Sequence, residues 1–269
     1  MKKIVLLTTE NLKGHVRDND LLARELSQRG YSVKEKAWEG LDDEGEDLFL
    51  IRTTWNYTER CDEFLRCLEK IEGRLWNPFS LVEWNCNKKY LIELLQKGLR
   101  VLPLRVIDDS EALEEAMDDL GGNEFIVKPL VGAGAKGLKY FDRSSLPRFD
   151  EEVIVQRFYS SISQGEVSLI YYAHQFAYAV RKTPRLGEIR VQTEYGGNIT
   201  PYIPSPEEIC WAEEILKCLP TDWLYARVDI LPGQGLIELE CIEPDLYFSS
   251  NARGVNFMVD AVSKLFGQH

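Results

Sequence analysis

Along the first eighty or so residues, short apolar runs alternate with amphipathic stretches. Residues 4–7 are an apolar run of strand length, and Leu21, Leu22 and Leu26 then recur at helical spacing as far as Gly30. Residues 31–35 and 47–52 read as two more strands, the second around Leu48-Phe49-Leu50-Ile51. Phe64, Leu65, Leu68 and Ile71 mark another helix, closed by Gly73. Strands separated by helices imply parallel β–α–β units, whose loops at the strand C-termini are open to a ligand. The segment carries no G-x-G-x-x-G turn, which disfavours a dinucleotide-binding site.

From about Asn85 the pattern changes. Residues 88–97 read as a helix, 101–106 as an extended run around Pro103, and 110–120 as an acidic helix. Ser110 is the expected N-cap there, with Glu111 and Glu114 at the positive end of the helix dipole. Residues 125–129 form a strand that runs into a glycine-rich turn. Further strands are expected at 153–156, 167–172 and 175–180, the last two as a hairpin around Ala173-His174. The final third predicts a helix over 206–219, strands at 226–231 and 236–241, and a helix over 255–266. The expected fold class is α/β (α+β), divided into residues 1–84, 85–155 and 156–269. No internal repeat interrupts this order.

Composition narrows the function. The 269 residues are 44% hydrophobic and 28% charged, as in a globular protein. A net charge of −12 argues against general nucleic-acid affinity but allows ATP, if local cations and Mg²⁺ offset the phosphate charge. The apolar run at the N-terminus is too short for a signal peptide, and no stretch approaches bilayer-spanning length, so a cytoplasmic protein without a membrane partner is expected. The six cysteines form no Cys-x-x-Cys pair, and His15, His174 and His269 lie far apart, so reduced thiols are expected and a transition-metal site is not.

Four constellations carry candidate chemistry. In Lys128-Pro129-Leu130-Val131-Gly132-Ala133-Gly134-Ala135-Lys136-Gly137, a strand lysine precedes a turn whose bare backbone can approach phosphate oxygens. A plain glycine-rich hairpin explains that segment equally well. In the second, Glu238 and Glu240 lie two apart on a strand and face the same way, with Arg227 and Asp229 on the neighbouring strand. Three carboxylates among apolar residues repel unless cations separate them, and oxygen-only ligation suits Mg²⁺. A solvated acidic face is the alternative. The third is Gln156-Arg157-Phe158 followed by Glu166, a candidate hinge whose backbone reads an adenine edge while Glu166 accepts from ribose hydroxyls. A surface hairpin is the commoner explanation. The fourth is the cationic set Arg181, Lys182 and Arg190, functional only if it converges on the acids.

Taken in order, these sets resemble the ATP-grasp superfamily over nearly the whole chain. The resemblance implies an N-terminal Rossmann-like pre-grasp domain and two lobes that clamp ATP. Asn87-Lys88-Lys89-Tyr90-Leu91 looks like the family's first ATP lysine opening a helix, and Lys128-Pro129 like its second. Gly132, Gly134, Lys136 and Gly137 fall in the phosphate-covering turn, Gln156, Arg157 and Phe158 in the adenine hinge, and Glu166 in the ribose position. Arg227, with Arg190 and Lys182, falls to catalysis, while Asp229, Glu238 and Glu240 fall to two Mg²⁺. The family's final Glu-x-Asn is here Glu238-x-Glu240, with Glu243 three residues on as a substitute ligand. Arg52-Thr53-Thr54-Trp55-Asn56-Tyr57, Trp84-Asn85-Cys86-Asn87-Lys88, Gly165-Glu166-Val167-Ser168-Leu169 and residues 238–244 are similar to the glutathione synthetase and RimK-like ligases, and to the cycloserine-biosynthesis cyclo-ligase group.

The activity so implied is that of an ADP-forming carboxylate–amine ligase working on small molecules through an acylphosphate. A kinase on the same fold and a silent ATP-binding module are the alternatives, and the complete set of lysines and acids argues against the second. A homodimer or higher homo-oligomer is compatible with all of them. Asp18, Asp20, Arg52, Trp55 and Asn56 lie in loops that could face substrate, and Arg190 could hold a substrate carboxylate. Trp55 could equally be a core residue.

Overall fold

The computed structural model describes residues 1–12, 16–42, 45–251 and 253–267. Its first sheet contains β1 (Lys3–Thr8), β2 (Ser32–Ala37), β3 (Leu48–Thr53) and β4 (Leu75–Trp76), all parallel, in the order β2-β1-β3-β4. Helix α1 (Arg17–Gln28) connects β1 to β2, and α2 (Cys61–Glu69) lies between β3 and β4 in the chain. Every residue of β3 is buried, as expected for an inner parallel strand covered on both faces. The chain leaves β1 toward β2 and returns to its other side at β3. The strand order therefore reverses between β1 and β3.

Helices α3 (Phe79–Asn85) and α4 (Tyr90–Gln96) lead to a second, antiparallel sheet. It contains β5 (Leu104–Ile107), β6 (Glu124–Pro129), β7 (Lys139–Asp142) and β8 (Val153–Arg157), in the order β5-β8-β6-β7, with α5 (Leu113–Leu120) against it. Leu113, Met117, Phe125 and Val155 give this sheet a small core of its own. The expected cap Ser110 is a correction. Asp109 accepts the N–H of Glu111 at 3.0 Å, while the Ser110 hydroxyl is occupied by the backbone of Phe149.

The third sheet is antiparallel: β9 (Glu166–Tyr172), β10 (Gln175–Thr183), β11 (Asn198–Tyr202), β12 (Tyr225–Leu231) and β13 (Gly235–Glu240), in the order β11-β10-β9-β12-β13. Ser205 and Glu208 form a capping box that starts α6 (Pro206–Leu216), and α7 (Gly254–Leu265) closes the described chain. Elements absent from the expected pattern are β4, which is two residues long, α3, and the largely exposed β11 with Pro201 inside it. None carries a readable period.

Two cores flank the third sheet. Tyr90, Leu91 and Leu94 of α4 and Ile215 of α6 meet Leu169, Tyr171 and Val228. Ile170, Tyr172 and Met258 belong to a second cluster with Leu6, Leu22 and Leu26 of the first sheet and α1. Thus α4 belongs to the core of the third sheet, and β8 runs across the division expected at residues 155 and 156. Asn77 fastens the first sheet to the third, its amide donating to the carbonyls of Tyr225 and Cys241, both at 2.7 Å, and accepting the Leu224 N–H at 2.7 Å. No helix among the described residues is long and apolar enough to cross a membrane.

Candidate nucleotide and metal site

Register assembles the acidic face. On the antiparallel ladder of β12 and β13, Arg227 lies opposite Glu240 and Asp229 opposite Glu238. Residues directly opposite share a face, so all four side chains project together. The alignment depends on a register shift at Ile237, which adds one residue to β13 between Leu236 and Glu238. On the other side β9 sets Ser168 opposite Asp229 and Glu166 opposite Lys182, again after a register shift, here at Ala177 of β10. An unshifted hairpin would put Arg181 opposite Glu166. Gly165 permits the close approach. It has φ +97°, and a Cβ there would sit 2.9 Å from the Lys182 carbonyl oxygen.

This is not a solvated face. Lys182, Arg227 and Asp229 are each at most 6% exposed. Asp229 accepts from Ser168 Oγ at 2.6 Å, from Arg227 Nε at 3.0 Å and Nη2 at 2.9 Å, and pairs with Lys182 Nζ at 3.2 Å. Lys182 also pairs with Glu166, and Arg227 with Glu240. Burial acts to raise the Asp229 pKa, but Arg227 and Lys182 outweigh it and hold the carboxyl well below its ordinary range. Nearby Glu243 is also buried but has no such pair, and burial with the Glu240 charge pushes it up to about 8.

Two lysines reach this face from elsewhere. Lys88, just before α4, has Nζ 3.1 Å from Glu238 and donates to the Gly132 carbonyl at 2.5 Å. Lys128 on β6 donates at 3.4 Å to the carbonyl of Ile237, the extra residue of β13. Burial lowers the Lys128 pKa, with Glu238 opposing. Two residues that the sequence reading gave no role hold β13 in place. Asn85 donates to the Leu239 carbonyl at 2.9 Å and accepts the Cys241 N–H at 2.8 Å, and the Tyr90 hydroxyl bonds both the N–H and the carbonyl of Leu239. Ser168 was also legible in principle, since it stands two residues from Glu166 on the same strand.

Other expected residues lie apart from this face. Arg190 chelates Glu188 at 2.7 and 3.1 Å and stacks 3.6 Å over Tyr195, with no contact to Arg227 or Asp229. Gln156 is buried, with its amide 3.4 Å from the Leu102 carbonyl. Arg157 is exposed beside Tyr159, and the Phe158 ring meets Tyr140 edge-on at 5.1 Å. Phe158, Tyr140, Leu138, Ser163 and Arg190 line a cleft of about 770 Å³ whose walls do not include the acids. Glu166, by contrast, is on the face and pairs with Lys182. Lys136, in the glycine-rich turn, pairs with Glu59 of the first domain. Gly137 in that turn has φ +80°, and a Cβ there would press on Pro129 at 3.2 Å. Among the substrate candidates, Asn56 binds Glu39 and Trp38, Asp20 is exposed, and Trp55 is 41% exposed, so it is not a core residue.

Residues 4–77 match the family described as D-cycloserine synthetase DcsG, N-terminal domain. The cycloserine biosynthesis protein DcsG of Streptomyces lavendulae is 30% identical over 165 residues, 54% of this chain and 55% of that protein, so the match spans about half the length of the curated relative. The crystal structure of D-cycloserine synthetase DcsG superposes with a TM-score of 0.84 at 22% identity, covering 98% of this chain and 99% of that one. The ATP-grasp ligase PsnB, solved with a precursor variant, Mg and ADP, gives 0.67 at 14% identity, covering 97% and 98%. The chain has the ATP-grasp fold. D-alanine–D-alanine ligase of Bacillus anthracis, solved with ATP, gives 0.71 at 16%, covering 98% and 97%. The ATP-grasp likeness read from the motifs therefore holds.

The donor set on this face fits a hard cation in its chemistry: three carboxylates, no sulfur and no imidazole. Among the described residues no group of three acids, histidines or cysteines is gathered closely enough to hold a metal, because each acid is turned onto a cation, Glu238 onto Lys88 and the other two onto Arg227.

Proposed function

We propose that the protein is an ATP- and Mg²⁺-dependent ligase that activates a small-molecule carboxylate as an acylphosphate, couples it to an amine or similar nucleophile, and releases ADP and phosphate. The observation that carries this reading is one face on which the buried Lys88, Lys128, Lys182, Arg227, Glu166 and Asp229 meet the half-buried Glu238 and Glu240. So many buried charges are expensive for a merely structural sheet. They suit a polyphosphate and its metal, which need cations for phosphate oxygens and carboxylates for the ion.

On this reading Asp229, Glu238 and Glu240 would hold Mg²⁺, which when bound neutralises phosphate charge and polarises the transferred group. Lys88 and Lys128 bind the α/β phosphates, and the turn at residues 132–137 covers them. Arg227, with Lys182 behind Asp229, neutralises the charge on the transferred phosphoryl group. The substrate carboxylate attacks the γ-phosphorus as the bond to ADP breaks. The nucleophile then attacks the acyl carbon and phosphate leaves. The relatives solved with ATP and with Mg and ADP support the nucleotide assignment.

The test is ADP release against a panel of carboxylates and amines, with and without Mg²⁺, and with hydroxylamine present to trap an acylphosphate. Mg²⁺-dependent release with a hydroxamate product is expected. A phosphorylated product without hydroxamate would instead make the protein a kinase. Tight Mg-ATP binding with no turnover across the panel would make it a binding module.

A further inference from the structure

Near the C-terminal ends of β1 and β3 lies a buried cation that forms no ion pair among the described residues. Arg52, near the end of β3, is 3% exposed. Among the described residues no carboxylate lies within ion-pair distance of it. Its Nη1 donates to the Pro244 carbonyl at a long 3.4 Å, its Nε is buried without a partner, and its guanidinium lies 5.7 Å from the Phe248 ring. Asp18 does not answer it, since that carboxylate accepts the N–H groups of Phe248 at 2.7 Å and Ser249 at 3.2 Å.

Two more unanswered polar atoms lie on neighbouring segments, one just after β3 and one in the first turn of α1. Thr54 Oγ1, at 0% residue exposure, and Asn19 Oδ1, at 2%, are both buried without a hydrogen-bond partner. The Asn19 amide is held from its other end, by a 3.1 Å bond to Thr53 Oγ1, which in turn bonds Thr8 Oγ1 at 2.8 Å. A guanidinium cannot escape its desolvation cost by losing a proton, and its planar fork matches a carboxylate bidentately. A buried donor and acceptor without partners in a native fold call for an explanation, and a ligand is one.

The position agrees. In an open parallel sheet a ligand binds where the strand order reverses, here between β1 and β3. The Pro244 carbonyl held by Arg52 is followed by the Asp245 carbonyl, which accepts from Arg227 Nη1 at 3.1 Å. One chain segment therefore joins Arg52 to the acid face.

The geometry points to a substrate subsite at Arg52, Asn19 and Thr54 that takes a small carboxylic acid, the carboxylate on Arg52 and a neighbouring N–H or O–H on Asn19. This deepens the ligase reading and rests on it for the identity of the bound acid as substrate.

Thermal unfolding tests it, on wild type and Arg52→Met, with acetate, glycine, D-alanine and D-serine as probes, each against its carboxamide, and with Mg-ADP separately. Removing a buried, unpaired charge should leave the free variant melting at or above wild type. At least one carboxylate should raise the wild-type midpoint by about 2 °C or more, its amide should not, and the shift should vanish in the variant. A fall of more than about 5 °C in the free variant makes Arg52 structural and overturns the proposal. So does a carboxylate shift that survives in Arg52→Met, or the lack of any carboxylate shift in wild type. Arg52→Lys, which keeps the charge without the fork, should weaken the shift, and an undiminished one also counts against the subsite. If Mg-ADP stabilises neither protein, the nucleotide reading fails, and the carboxylate result can still be read on its own.

Discussion

Asp229 is where the site converges, with a serine hydroxyl, a guanidinium and an ammonium all aimed at one carboxylate. Asp229→Asn removes the charge to which both Arg227 and Lys182 are paired. Breaking a buried pair costs about 3–5 kcal/mol, so its melting temperature should fall by roughly 10 °C. Glu238, partly exposed and paired only with Lys88, is a different case. Glu238→Gln should melt within a few degrees of wild type yet lose Mg²⁺-dependent ADP release on the order of 100-fold. Melting curves beside ADP-release rates separate the two residues, and parallel losses in both variants would contradict the distinction. The sequence made the shared face of Arg227, Asp229, Glu238 and Glu240 readable, because alternation along a strand needs no partner. It could not say which cation meets which acid. That pairing is set by extra residues at Ala177 and Ile237, and neither an alanine nor an isoleucine announces a bulge. The pairing of Arg190 was hidden for a related reason. Its nearest acid, Glu188, is two residues away in sequence, and local chelation won over convergence on a distant face.

At the level of elements, the acids are only as well placed as β13, an edge strand. Its outer backbone is met by Asn85 and Tyr90, which do for Leu239 and Cys241 what a further strand would do. Asn85→Ala leaves the buried Cys241 N–H without its partner, at about 1–3 kcal/mol, and leaves the Leu239 carbonyl to Tyr90 alone. The expected result is a lower melting temperature, together with faster amide exchange at Cys241 and the adjoining end of β13 read by hydrogen exchange with mass spectrometry. Unchanged exchange in β13 would mean that Tyr90 alone suffices. Most elements were readable from period and length, including the hairpin at Ala173-His174, where both residues take positive φ. Those that were not, β4, α3 and β11, are too short or too exposed for burial to leave a pattern.

Across the whole molecule, the first and third sheets share a core, while the second has a small one of its own and adds Leu104 and Ile154 to the cluster on the other face of the third. No periodicity could reveal this, because Leu22 and Met258 meet only through the docking of α1 and α7. The first and third sheets should accordingly exchange amide hydrogens as one cooperative unit, and β5 to β8 should open at lower free energy. Addition of Mg-ADP should slow exchange in β6 and β7 most, and equal slowing throughout would argue against a separate middle lobe. The glycine-rich turn of that lobe touches the first domain through Lys136 and Glu59, both more than 60% exposed. An exposed pair of this kind contributes little to holding the turn down. A contact so weakly held yields to an entering nucleotide at small cost, and neither sheet has to unfold to admit one.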